Sequence, residues 1–204
     1  MGSLSEHIVK AGRLVDYNLK AELEHGIYVS RLAGDLALEM ELEPEVIEHI
    51  KLAGLVHDIG KLELQKQMDE EDRDDILITQ ELKFVRSHVE LSRDILRADG
   101  YPEDVCEMAF QHHENYDGTG YPCNLKGEEI LLGARIIRVC DVFAALSAER
   151  PYRRGFEIRE VMDMMIDEID HYDMDIFLRF QRLIHRIGTS RYFEFEEGEN
   201  YDFD

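Results

Sequence analysis

The chain has 204 residues, 44% hydrophobic and 33% charged, the composition of a soluble globular domain rather than of a disordered segment or a membrane protein. Its 23 basic and 45 acidic residues leave a net charge of −22, which argues against duplex nucleic acid and against an anionic membrane surface as partners. Cys106, Cys123 and Cys140 have no metal-type spacing and cannot all pair with one another, so no disulfide framework is expected and a reducing compartment fits. Met1 to Lys10 lacks the apolar region of a signal peptide, and the most apolar stretch, Ile130 to Leu146, is interrupted by Arg135, Arg138 and Asp141. A cytoplasmic protein is expected.

Helical periodicity dominates the chain. Ser3 and Glu6 stand at capping-box spacing, and helical patterning runs from Ile8 toward Met40, with a break expected near Glu22 to His25. Pro44 opens a helix expected to stop at Gly60, after His57, Asp58 and Ile59. Further helices are expected over Thr79 to Ala98 and from Pro102 to about His113. Asn115 to Pro122 holds Gly118, Gly120 and Pro122 and is a loop. Helices resume over Glu128 to Ala148 and Ile158 to Ile187, and Tyr192 to Phe195 is a weak strand candidate. This predicts one all-α domain over residues 1–190, without internal repeats, and an acidic tail over 191–204.

Two acidic stretches stand apart. Asp69 to Asp75 carries six carboxylates against Arg73, and Glu194 to Asp204 carries six with no basic residue. They read as solvated linker and tail. The first lacks the glycine and the spaced terminal glutamate of a calcium-binding loop.

The informative residues are polar ones on apolar faces. His25 lies on the stripe of Val29, Leu32 and Leu36; His57 on that of Val46, Ile50 and Ala53; His88 on that of Phe84, Val85, Leu91 and Ile95. His112 and His113 follow Met108, Ala109 and Phe110, while Asp58 adjoins His57 and Asp141 falls one turn after Ile137. One such residue is usually a hydrogen-bonded core histidine or a cap. Seven are hard to satisfy by mutual hydrogen bonds, because each unpartnered buried polar group costs about 1–3 kcal/mol. Imidazole and carboxylate are good ligands for first-row transition metals, and a carboxylate can bridge, which makes Asp58 the natural centre of a two-metal site.

The runs His57-Asp58-Ile59-Gly60-Lys61 and His112-His113-Glu114-Asn115-Tyr116-Asp117-Gly118-Thr119-Gly120-Tyr121-Pro122 resemble the two signatures of the HD-GYP family. Asp141 to Leu146, followed by Arg150-Pro151-Tyr152-Arg153, resembles a third block, so the resemblance covers about Glu24 to Arg154. It implies an all-α HD-type helical domain with a metal site in its core and hydrolysis of cyclic di-GMP or a related cyclic dinucleotide. It makes His25, His57, Asp58 and Asp141 ligands of one ion, and His88, His112, His113 and the bridging Asp58 ligands of another. Nitrogen and oxygen ligands suit iron, manganese, nickel or zinc, and the resemblance favours iron or manganese.

The resemblance makes Lys61 and Asp58 catalytic, and Lys61, Arg150 and Arg153 match positions that meet substrate phosphate; the alternative for the two arginines is a helix-end or surface salt bridge. Tyr121 is implied to lie near the nucleotide, and Asp117, Gly118, Gly120 and Pro122 to shape the pocket mouth. Some relatives bind a third metal through a glutamate one turn before the first histidine; Ala21 stands there, so two ions per chain are expected. Asn115 stands where an arginine is common, Ala144 where an aspartate is common, and the segment between Lys61 and His88 is unusually acidic. The rival readings are a phosphohydrolase of another nucleotide and a non-catalytic module binding protein partners through its acidic surface. The sequence does not specify an oligomeric state.

Overall fold

The computed structural model describes residues 19–64, 85–148 and 155–187. Among them there is no strand, and besides a helical stretch over 60–64 they contain seven α-helices. They are α1 (Leu19–Glu39), α2 (Pro44–Val56), α3 (His88–Ala98), α4 (Glu103–Gln111), α5 (Leu132–Ser147), α6 (Ile158–Asp167) and α7 (Met174–Ile187).

Helix α5 is the hub, packed against α1, α2, α4, α6 and α7. Its centrality explains its sequence: Ala134, Ile136, Ile137, Val139, Cys140, Phe143 and Ala144 are all fully buried, so it is apolar nearly all round. Phe143 meets Phe180 of α7 edge to face, with ring centres 5.1 Å apart. Helices α1 and α2 approach closely because Gly26 faces the backbone of Leu55, where a side chain would overlap the carbonyl oxygen. No helix among the described residues is long and apolar enough to cross a membrane. Cys106, Cys123 and Cys140 are free thiols.

Several expectations need correction. Helix α1 runs unbroken through Glu22 to His25. Gly60 does not end a helix: α2 stops at Val56, residues 57–59 turn, and the chain is helical again over 60–64. Gly60 is there for contact, since a Cβ would overlap the carbonyl of His88. The segment expected to be one helix over Ile158 to Ile187 is two, separated by a 3-10 turn at Ile169–His171. Asp173 accounts for the restart, its carboxylate accepting from the amide of Asp175 at 3.0 Å ahead of α7. Val46 is 42% exposed, because the buried face of α2 is formed by Ile50, Ala53 and Gly54. On α3 the fully covered positions are His88, Val89, Ser92 and Leu96, with Leu91 and Ile95 only half-buried. The amino-terminal helical patterning before Leu19, the candidate strand at Tyr192 to Phe195 and both acidic stretches lie outside the described residues.

Candidate metal centre

Five elements converge on one cluster of side chains. Helix α1 brings His25, the turn after α2 brings His57 and Asp58, α3 begins with His88, the end of α4 brings His112 and His113, and α5 contributes Asp141. All seven residues singled out in the sequence meet there. Asp58, His88, His112 and His113 form one group with ligand atoms within 4.8 Å of one another; His25, His57 and Asp58 form a second; His57, His112 and Asp141 form a third.

Three of the imidazoles are oriented in the same way. Nδ1 of His57 donates to the carbonyl of Gly54 (2.8 Å), that of His88 to Val85 (2.7 Å) and that of His112 to Ala109 (2.6 Å). In each case the acceptor lies three residues earlier, so the local helical backbone turns the ring and points Nε2 inward. This is how metal-binding histidines are aimed. Nε2 of all three, with Oδ1 of Asp58, is buried and makes no hydrogen bond. Four orphaned polar atoms in one cluster are costly unless a cation joins them, and imidazole nitrogens with carboxylate oxygens fit a divalent transition metal.

Asp58 divides its two oxygens. Oδ2 lies 3.2 Å from His57 Nε2, while Oδ1 lies 3.2 Å from His88 Nε2 and 3.7 Å from His112 Nε2. On the other side of His57, Asp141 Oδ1 accepts from His25 Nε2 at 2.9 Å and lies 3.7 Å from His57 Nε2. Burial alone would lower the pKa of His57, but Asp58 and Asp141 overcome it and push it up to about 10. Burial alone would raise Asp58, yet His57 and Lys61 hold it well below the usual carboxylate range; Asp141 is held down likewise by His25 and His57. Burial and neighbouring imidazoles push His112 far down, and burial brings His113 to about 3, so both rings are neutral at pH 7.

Lys61 lies one turn beyond His57 and Asp58. Its ammonium donates to Asp58 Oδ2 at 2.5 Å and to Glu22 Oε2 at 3.3 Å. Burial opposes the charge, but the two carboxylates raise the lysine pKa, so it stays protonated. Glu22 is not evident from the signature spacing, which points to Ala21 four residues before His25, although a residue three before shares that helical face equally well.

The loop after His113 is stapled from inside. Glu114, buried and 1% exposed, accepts from the amides of Cys123 (2.6 Å) and Leu125 (3.0 Å). Asp117 Oδ1 accepts from the amide (2.9 Å) and hydroxyl (2.7 Å) of Thr119, Gly118 has a φ of 86°, and a side chain at Gly120 would overlap the backbone at Glu114 and Asn115. The Tyr121–Pro122 bond is cis, and the Tyr121 ring stacks on His113 with centres 4.8 Å apart. The Arg86 guanidinium lies 4.8 Å from the centre of the same ring. Asn115 accepts from Arg138 at 3.1 Å, a pairing that sequence reading did not anticipate. Arg150 and Arg153 lie outside the described residues.

A profile of the HD domain family matches residues 6–176. The chain belongs to that family. Its motifs are those of the HD-GYP branch, in agreement with its relatives. It is 38% identical over 182 residues to a 3′3′-cGAMP-specific phosphodiesterase of Vibrio cholerae, covering 87% of this chain and 42% of that protein. It is 34% identical over 161 residues to a cyclic di-GMP phosphodiesterase of Pseudomonas aeruginosa, covering 78% and 38% respectively. This HD chain thus spans about two fifths of the length of these relatives. Among solved structures it is similar in fold to an HDG"Y"P protein from Bdellovibrio bacteriovorus, with a TM-score of 0.63, 19% identity and coverage of 80% of this chain and 52% of that one. The HD domain of the Listeria monocytogenes phosphodiesterase PgpH, solved with cyclic-di-AMP, has a TM-score of 0.61, 16% identity and coverage of 85% and 92%.

Proposed function

We propose that this HD domain is a two-metal phosphodiesterase that opens the ring of cyclic di-GMP or a related cyclic dinucleotide to the linear dinucleotide, with cleavage to mononucleotide as a slower second step. The observation that carries this reading is the division of Asp58, one oxygen toward His57 and the other toward His88 and His112. In this reading His25, His57, Asp58 and Asp141 hold one ion, and Asp58, His88, His112 and His113 hold the other, iron or manganese being favoured over nickel or zinc. Bound there, such ions supply Lewis-acid polarisation of the phosphate and activation of a water.

The chain's own groups do the rest. The Lys61 ammonium, beside Asp58, neutralises a non-bridging phosphate oxygen or gives a proton to the leaving ribose oxygen. Tyr121 on His113 forms the nucleotide side of the mouth, shaped by Asp117, Gly118, Gly120 and Pro122. Arg150 and Arg153 are assigned to substrate phosphate. The net charge of −22 repels polyanions such as RNA, while the cations of the site attract a small dianion. The substrates named for the relatives, 3′3′-cGAMP and cyclic di-GMP, support the substrate class.

The test is elemental analysis of chain purified without oxygen, with chromatography of time courses on cyclic di-GMP and 3′3′-cGAMP. About two ions per chain and accumulation of a linear dinucleotide are expected. A chain loaded with two ions that opens neither ring overturns the reading.

A further inference from the structure

We propose that Glu22 is a positioning residue for catalysis, whose carboxylate holds the Lys61 ammonium over Asp58 and the scissile phosphate. The inference rests on the phosphodiesterase reading for its catalytic part, and on geometry for the rest.

Glu22 and Lys61 are 39 positions apart, on α1 and on the helical turn after α2, yet Oε2 and Nζ are 3.3 Å apart. Both side chains are about three-quarters covered, at 24% and 28% exposure, so this is not a freely solvated surface pair. The backbone fixes the approach: Gly26, one turn after Glu22, lies against Leu55, and Gly54 places its α-carbon face against the backbone of Ser30. Glu22 also precedes His25 by three residues, so the helix face that offers the histidine to the cluster offers this carboxylate to the lysine.

Among the described residues the carboxylates bonded to Lys61 are Asp58 and Glu22. Asp58 has a second duty: its oxygens also face His57, His88 and His112. Charge that Asp58 shares with metal ions no longer holds the lysine, and the remaining anchor is Glu22. A lysine has four rotatable bonds and substantial rotamer entropy, so an ammonium held at one end of its range needs such an anchor.

The test uses Glu22→Ala, Glu22→Gln and Lys61→Ala in the full chain. Glu22→Ala is expected to lower kcat about tenfold to a hundredfold with KM little changed, the scale of a misplaced catalytic group. Glu22→Gln keeps an acceptor and should recover part of that loss. Combined with Lys61→Ala, Glu22→Ala should cost nothing further, because the group it positions is gone. Metal content should match the wild type in both Glu22 variants. Loss of an ion in Glu22→Ala would make Glu22 a metal ligand and overturn the proposal, as would additive losses in the double variant or an unchanged kcat.

A second readout needs no turnover. In metal-free protein carrying 15N-lysine, the Lys61 ammonium resonance, assigned by its disappearance in Lys61→Ala, should shift or broaden in Glu22→Ala and return toward its original position in Glu22→Gln. An unmoved resonance overturns the anchoring. If the wild type hydrolyses no cyclic dinucleotide, the phosphodiesterase reading fails by itself, and the resonance still decides whether Glu22 holds Lys61.

Discussion

The amide of Gly60 donates to the hydroxyl of Ser92 across 2.9 Å, tying the turn that carries Asp58 to the helix that begins with His88. Ser92 is fully buried and Gly60 has no room for a side chain against the His88 carbonyl. The distance between Asp58 Oδ1 and His88 Nε2 is therefore set by backbone contact, not by the two side chains alone. Ser92→Ala should destabilise the chain by about 1–3 kcal/mol, because it leaves a buried amide unpaired. Gly60→Ala should lower metal affinity on the order of 10–100-fold by displacing His88. Denaturant unfolding and metal titration check the two. Unchanged metal affinity in a folded Gly60→Ala protein contradicts the link.

Asp58→Ala should abolish turnover and reduce metal content at both positions, since one carboxylate faces both groups of imidazoles. Histidines away from the cluster serve as controls. His49 pairs with Asp104 at 2.6 Å and His185 is exposed, so His49→Ala and His185→Ala should leave turnover within about twofold of wild type, as is usual for surface substitutions. Elemental analysis beside the activity assay decides it: a folded Asp58→Ala chain with full metal content refutes the bridge.

Metal removal should give the protein an alkaline weakness. His57 has its pKa raised from 6.5 to about 10, against burial, by Asp58 and Asp141. A raised histidine contributes stability that is complete below 6.5 and is lost as pH rises through about 10. Asp58 and Asp141 have lowered values, so their contribution is present above the usual carboxylate range and is lost in acid. Between pH 7 and pH 9 the chelated chain should therefore lose thermal stability. The metal-loaded chain should not, because an ion and a proton compete for the same nitrogen and metal binding strengthens as the proton leaves. Thermal unfolding with and without chelator at pH 7, 8 and 9 provides the comparison; a flat or rising Tm in the chelated chain contradicts the assignment.

Glu114 should behave as a structural residue despite standing inside the signature. Its two oxygens accept from the amides of Cys123 and Leu125, so Glu114→Gln leaves one amide facing a donor and should cost about 1–3 kcal/mol. KM should rise, because the mouth around Tyr121 loosens, while metal content stays unchanged. Loss of metal in this variant would show that Glu114 supports the imidazoles and not the loop.

Sequence alone determined the helical class, the stripe of His25, Val29, Leu32 and Leu36, and the membership of the seven-residue cluster. Helical periodicity is local, and the spacing of the signatures carries their chemistry without any knowledge of packing. Tertiary structure decided what depends on contacts between distant elements. The stripe on α2 passes Val46, yet that residue is 42% exposed, whereas Ile50, one turn further along the same helix, is fully buried. Gly60 looked like a stop signal in one dimension and is a point of contact with α3 in three. Ser92 and Asn115 gave no sign of their partners, Gly60 and Arg138, which lie 32 and 23 residues away. Ala21 occupies the position where some relatives carry a glutamate, and Glu22, one residue on, reaches Lys61. Successive residues of an α-helix are turned about 100° from one another, so sequence spacing names the faces that can meet. Which atoms on those faces touch depends on how closely two backbones approach, and here glycines at Gly26, Gly54 and Gly60 set that distance.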